Sequence, residues 1–287
     1  MKREIMILAT FATASCSSLS IDDGKDIVTG VHTVFNVDIE EVEIADGLHT
    51  DNRWKDGACL GVFGSESGEN ELYCIKRDDV GKVQAVFYGS AVKGEEILAC
   101  CPVKPGMKLE GGLMPCELPT LQPFGGDALE CFLNASECAF ARLEEGRLHF
   151  RYPFGILEVQ FRFDQSLDLT ALQLSSVRKI SGRMAAGGDA VLKTLDISSD
   201  FIDLDLGGET VPTIRNGKYT SFFFVLPPGF YAAGELKVAA VSESESFEVI
   251  LKGIEVPRVS MDSFHIASTV VETAQLLGFD KEDGILE

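Results

Sequence analysis

The chain has 287 residues, 45% of them hydrophobic, enough for two modest domains with cores of their own. Its 25 Lys and Arg stand against 45 Asp and Glu, a net charge of −20. That balance excludes a nucleic-acid partner, because binding to a phosphate backbone is driven by Lys and Arg. The acidic residues are scattered rather than blocked, so they read as a solvated surface.

At the N-terminus Lys2 and Arg3 precede an apolar run from Ile5 to Ala12 and the small residues Thr13, Ala14 and Ser15, the layout of an export signal. The run is too short to cross a bilayer as a helix. The small-residue triplet ending on Cys16, followed by Ser17 and Ser18, resembles a bacterial lipobox, with Thr13 where Leu is usual. The resemblance implies a signal peptide over 1–15, cleavage between Ser15 and Cys16, and acylation of the Cys16 thiol. Residues 16–30 then form a polar, lipidated tether.

From Val31 the pattern alternates. Val31, Thr33, Phe35, Val37 and Ile39 share one face, against His32, Asn36, Asp38 and Glu40 on the other, which predicts a long first strand. Residues 45–57 form a turn-rich, exposed segment carrying Arg53 directly before the single tryptophan, Trp54. Short strands are expected at 58–63, 71–76, 82–88 and 96–101, separated by Gly, Ser, Asn and Asp clusters. Pro102, Pro105, Pro115, Pro119 and Pro123 mark irregular coil with isolated edge pairing.

Glu144-Glu145-Gly146 reads as a boundary between an N-terminal domain, 31–145, and a C-terminal domain, 146–287. The strongest strand pattern follows at 147–164, with further strands at 169–175, 191–197, 201–206, 220–226, 234–241, 246–252 and 258–267. Thr269-Val-Val-Glu272 resembles a capping box and predicts one short terminal helix. The fold class is all-β, and regular short strands predict sandwich or barrel domains.

No catalytic motif is found. The four histidines, at 32, 49, 149 and 265, have no partner spacing, and no phosphate loop, nucleotide fingerprint or nucleophile elbow occurs. The chain is therefore read as a non-enzyme without metal or cofactor. Beyond Cys16, the cysteines at 59, 74, 100, 101, 116, 131 and 138 are odd in number, lack Cys-x-x-Cys spacing and read mostly as buried thiols. Cys100 and Cys101 would point to opposite faces of a strand, so at most one reaches the core and no disulfide joins them.

The order of features resembles the fimbrillin family of Bacteroidales, the FimA-like and Mfa-like surface pilins. The resemblance rests on the Trp54-x-x-Gly57 turn, Leu60-Gly-Val-Phe-Gly64, Asn70-Glu-Leu-Tyr73, Glu96 to Gly106 and the Leu-Pro-Pro-Gly-Phe-Tyr turn at 226–231. Cys59 stands where the family usually has Asp, and Cys100-Cys101 replace an aromatic pair. The resemblance implies two tandem transthyretin-like Greek-key β-sandwich domains and a surface-exposed location on the outer membrane or in the fimbrium. It further implies removal of the first strand by a trypsin-like protease, for which Arg53 is the nearest candidate site. A neighbouring subunit's strand then takes the vacated place, a β-augmentation. The apolar face of the strand would contribute about 6–12 kcal/mol gross. Implied partners are other fimbrial subunits, the outer membrane through the lipid anchor, and a host or bacterial surface receptor. The alternative is a monomeric cell-surface lipoprotein that binds a glycan or protein and keeps its first strand.

Overall fold

The computed structural model describes residues 32–38, 54–66, 68–82, 84–125, 127–136, 138–207, 212–243, 245–259 and 266–272. Ser15, Cys16, Val31, Ile39 and Arg53 lie outside the described residues, as do the signal and tether segments.

In chain order the first elements are β1 (His32–Asp38), β2 (Cys59–Gly64), β3 (Glu71–Ile75), β4 (Gln84–Ser90), β5 (Ile97–Cys101), β6 (Met114–Leu118), β7 (Leu121–Pro123), α1 (Ala128–Ala135), β8 (Ala139–Glu144) and β9 (Arg147–His149). There follow β10 (Gly155–Arg162), β11 (Leu167–Ser176), β12 (Ser181–Ala186), β13 (Leu192–Ser199), β14 (Phe201–Asp205), β15 (Thr213–Ile214), β16 (Thr220–Leu226), β17 (Gly229–Tyr231), β18 (Leu236–Ser242), β19 (Ser246–Ile250), β20 (Ile254–Val256) and β21 (Ala267–Glu272). The chain is all-β, as its alternation predicts.

In the N-terminal part the curled sheet closes in the order β1-β4-β3-β2-β5-β8-β9, with β9 returning to β1. Alternation decides what fills it. Leu60, Val62, Tyr73, Ile75, Ala85, Phe87, Ala99, Ala141 and Leu148 pack inside, and Trp54 and Phe150 complete this core. The opposite face of β2, β5 and β8 carries Phe63, Leu98, Cys100 and Phe140 into a second core with β6, α1, Ile156, Met184 and Val225. The C-terminal sandwich lays β16-β10-β21 over β19-β18-β11-β14-β7. Its core is built from Phe161, Phe163, Phe222 and Phe224 against Leu172, Leu174, Ile202 and Val238.

Three stretches bear on the sequence expectations. Glu144-Glu145-Gly146 forms a hairpin turn across which β8 and β9 pair, Leu143 with Leu148 and Glu144 with Arg147. Glu145 at φ 50 and Gly146 at φ 80 give the two positive φ values of the tight hairpin turn whose twist matches the flanking strands. The chain leaves the barrel only after this hairpin. Before it, β6 and β7 already pair with β12 and β14, so the proline-rich stretch supplies two edge strands to the later sheets. Pro115 and Pro123 sit on those edges, where a missing N–H is tolerated.

The third concerns the expected terminal helix. Thr269 to Glu272 belong to β21, parallel to β10, and the described part of that segment is strand. The β-branched Thr269, Val270 and Val271 fit a pleated surface better than a helix. Among the described residues an α-helix lies at α1, where the Asp127 carboxylate accepts from the Glu130 N–H at 2.9 Å.

Gln122, on β7, is buried and spans 103 residues of sequence. Its Nε2 donates to the Val225 carbonyl at 2.7 Å, and its Oε1 accepts from the Val225 N–H at 2.9 Å. One side chain thus satisfies both backbone groups of Val225 on the free edge of β16. Gln122→Leu is expected to leave both unpaired and lower stability by about 2–4 kcal/mol. The denaturant midpoint should fall while the slope stays unchanged.

Candidate functional site

The candidate site is the seat of β1. On one side β1 runs antiparallel to β4 from His32 opposite Ser90 to Asp38 opposite Gln84. On the other it runs parallel to β9, but only through Asn36, Val37 and Asp38 opposite Arg147, Leu148 and His149. Among the described residues this is the one parallel pair in the barrel, and it is short. Slanted parallel bonds hold slightly less per residue than antiparallel ones, so the β1–β9 seam is the weaker of the two.

Register places three predicted residues. Thr33, Phe35 and Val37 stand opposite Gly89, Phe87 and Ala85, and Val37 also stands opposite Leu148. Phe87, Ala85 and Leu148 are buried in the barrel core, so Phe35 and Val37 stand at register positions opposite residues of that core. Gly89 is required by a close approach. A Cβ there would lie 2.4 Å from the Leu72 carbonyl oxygen and 2.8 Å from the Tyr73 ring.

Trp54 closes this core. Its ring meets Phe87 edge-on at 4.8 Å and Phe150 at 6.4 Å. Its backbone N–H donates to the Lys82 carbonyl at 3.0 Å, and its backbone carbonyl accepts from the Gly81 N–H at 2.8 Å. Trp54 therefore ties the barrel core to the segment that leads into β4. Asp79 holds the start of β4 by accepting from Lys82 Nζ at 2.6 Å and from the Val86 N–H at 3.0 Å. These bonds, Lys82 foremost, keep its carboxyl below the ordinary value.

The cysteines divide by face. Cys100 and Cys101 do point to opposite sides of β5, but both sides are covered: Cys100 enters the second core, and Cys101 packs against the barrel core. Burial pushes Cys100 up to about 11 and Cys101 up to about 12. Cys59 and Cys74 are not buried thiols; both are partly exposed on the barrel's outer surface. Trp54, Gln122 and the Cys59–Cys74 juxtaposition are positions whose roles the sequence did not reveal.

No family model matches the chain, and no curated protein matches its sequence. Solved structures do. A candidate cell adhesion protein from Bacteroides ovatus superposes with a TM-score of 0.51 at 10% identity, over 84% of this chain and 92% of that one. The two chains share a fold. A candidate adhesin from Bacteroides thetaiotaomicron aligns at 9% identity and a TM-score of 0.46, over 87% of this chain and 94% of its own. The tip fimbrial protein Mfa3 from Porphyromonas gingivalis, truncated at its C-terminus, aligns at 9% identity and a TM-score of 0.36, over 76% and 82%. No described helix is long and apolar enough to cross a membrane.

Proposed function

We propose that the chain is a fimbrial subunit or a fimbria-associated adhesin, held at the outer membrane as a lipoprotein through Cys16 and assembled by exchange of its first strand. The observation that carries the reading is the seat of β1. Taking β1 away breaks one long antiparallel ladder and one short parallel one, and leaves every other strand pair of the barrel intact. It also opens two edges over Phe87, Ala85 and Leu148, a template for another strand. Trp54, the residue after Arg53, stays fixed in the body.

A trypsin-like protease acting on the purified chain tests this. Cutting after Arg53 is expected to give a body starting at Trp54 and a ladder of oligomers by size exclusion and gel, while Arg53→Ala keeps β1 and stays monomeric. Cleavage at Lys25 would trim only the tether. The pairing of β1 on both sides favours a second reading, a monomeric surface lipoprotein that keeps the strand and binds a glycan or protein. A body that has lost β1 and remains monomeric supports that reading instead.

Lipidation is tested separately. Cys16→Ala is expected to move the protein from the membrane to the soluble fraction, because stable anchoring needs the acyl chains. A Cys16→Ala protein that stays with the membrane contradicts the anchor.

A further inference from the structure

Cys59 and Cys74 face each other across β2 and β3, which pair antiparallel. Their Sγ atoms are 3.1 Å apart. The backbone explains how they come so close. The Ile75 N–H donates to the Ala58 carbonyl at 3.0 Å, which makes Ala58 and Ile75 a hydrogen-bonded pair. The next pair along, Cys59 with Cys74, is then a non-hydrogen-bonded one, where Cα atoms lie about 4.5 Å apart and side chains are nearest. That separation lies inside the range of about 4.4–6.8 Å a disulfide can bridge. Both thiols sit on the outer face of the barrel, beside the exposed Leu72 and Tyr88, and both are partly open to solvent.

We propose that Cys59 and Cys74 are a disulfide-forming site that staples β2 to β3. The other described cysteines do not offer this. Cys100 and Cys101 point apart, and Cys116 and Cys138, though hydrogen-bonded to each other, are buried in the second core beyond the reach of an oxidant.

The chemistry needs a disulfide-bearing thiol oxidant as electron acceptor. Cys74 is the entry point: the hydrogen bond from Cys59 lowers its thiol to about 7, against the opposing effect of burial, so a thiolate is present near neutral pH. The Cys74 thiolate attacks one sulfur of the oxidant, breaking its S–S bond and releasing one thiol. A mixed disulfide remains on Cys74. Cys59 then loses its proton and attacks the Cys74 sulfur, expelling the second oxidant thiol. Two electrons pass to the oxidant, and the two cysteine protons end on its two thiols. The closed loop joins positions 15 apart in sequence.

The test incubates the folded full-length chain with oxidised glutathione, followed by acid quenching, unfolding, alkylation and peptide mass analysis. The expected result joins the Cys59 and Cys74 peptides, with the loss of two hydrogens, and leaves Cys100, Cys101, Cys116, Cys131 and Cys138 alkylated. Cys59→Ser is expected to accumulate glutathione on Cys74, because the resolving thiol is gone. The oxidised wild type should also unfold with an equilibrium constant on the order of a hundredfold smaller than the reduced one. Alkylation of both Cys59 and Cys74 in the oxidised wild type, or linkage of either to a different cysteine, overturns the proposal. So does a Cys59→Ser protein without glutathione on Cys74.

Discussion

A chain that begins at Trp54 is expected to fold its C-terminal sandwich and yet fail to remain a monomer. Without β1, the antiparallel ladder from His32–Ser90 to Asp38–Gln84 and the parallel pairing to β9 are both lost. The positions of Phe35 and Val37 fall vacant opposite Phe87, Ala85 and Leu148, and two apolar side chains of this size would be worth about 3–6 kcal/mol gross on full burial, before any ladder hydrogen bond is counted. Such a loss is comparable with the net stability of a whole domain, about 5–15 kcal/mol. The open edges of β4 and β9 then expose backbone donors and acceptors beside apolar surface, the condition for strand addition from another copy. Analytical ultracentrifugation of this truncated chain should show concentration-dependent association. The full chain should sediment as a monomer under the same conditions.

Phe161→Ala is expected to cause the largest loss of stability of any single change considered. Phe161 is fully buried on β10 and meets Phe163, Phe222 and Phe247 edge-on at 5.6, 5.5 and 6.0 Å. Truncation removes its transfer free energy and leaves a cavity ringed by aromatic side chains that cannot collapse without breaking their mutual geometry. The cost is about 3–5 kcal/mol, read as a fall in the denaturant midpoint. Phe161→Leu should cost less, since it keeps most of the volume. Because Phe161 belongs to the C-terminal core rather than the barrel core, its loss should not by itself release β1.

The strands legible in the sequence are those with one buried face. β4 and β18 alternate cleanly, and their spans agree with the pattern to within a few residues. What the sequence hid follows from physics that local pattern does not carry. Asp127-Ala-Leu-Glu130 and Thr269-Val-Val-Glu272 are the same kind of capping signal, yet the first caps a helix and the second lies within strand β21. Between the caps stand Ala128 and Leu129 in one case and two β-branched valines in the other, and β10 offers the valines a parallel ladder. Gln122 looked like a coil residue because its partner is 103 positions away. Cys59 and Cys74 face each other only because of the β2–β3 register, which spacing alone does not specify. Glu144-Glu145-Gly146 is a related case: turn residues mark a change of direction, and here the chain turns back into the same barrel.

The claim that β1 is a separable strand whose seat accepts a replacement is tested most directly by complementation. The chain beginning at Trp54 is mixed with a fluorescent synthetic peptide spanning residues 28–42, and binding is followed by anisotropy and size exclusion. A second peptide of identical composition has the alternation of Val31, Thr33, Phe35, Val37 and Ile39 scrambled. The account predicts that the native peptide binds one to one, converts the oligomers to a monomeric complex and protects the amides of β4 from hydrogen exchange, while the scrambled peptide does none of these. Equal behaviour of the two peptides, or a truncated chain that stays monomeric and takes up neither, would contradict it.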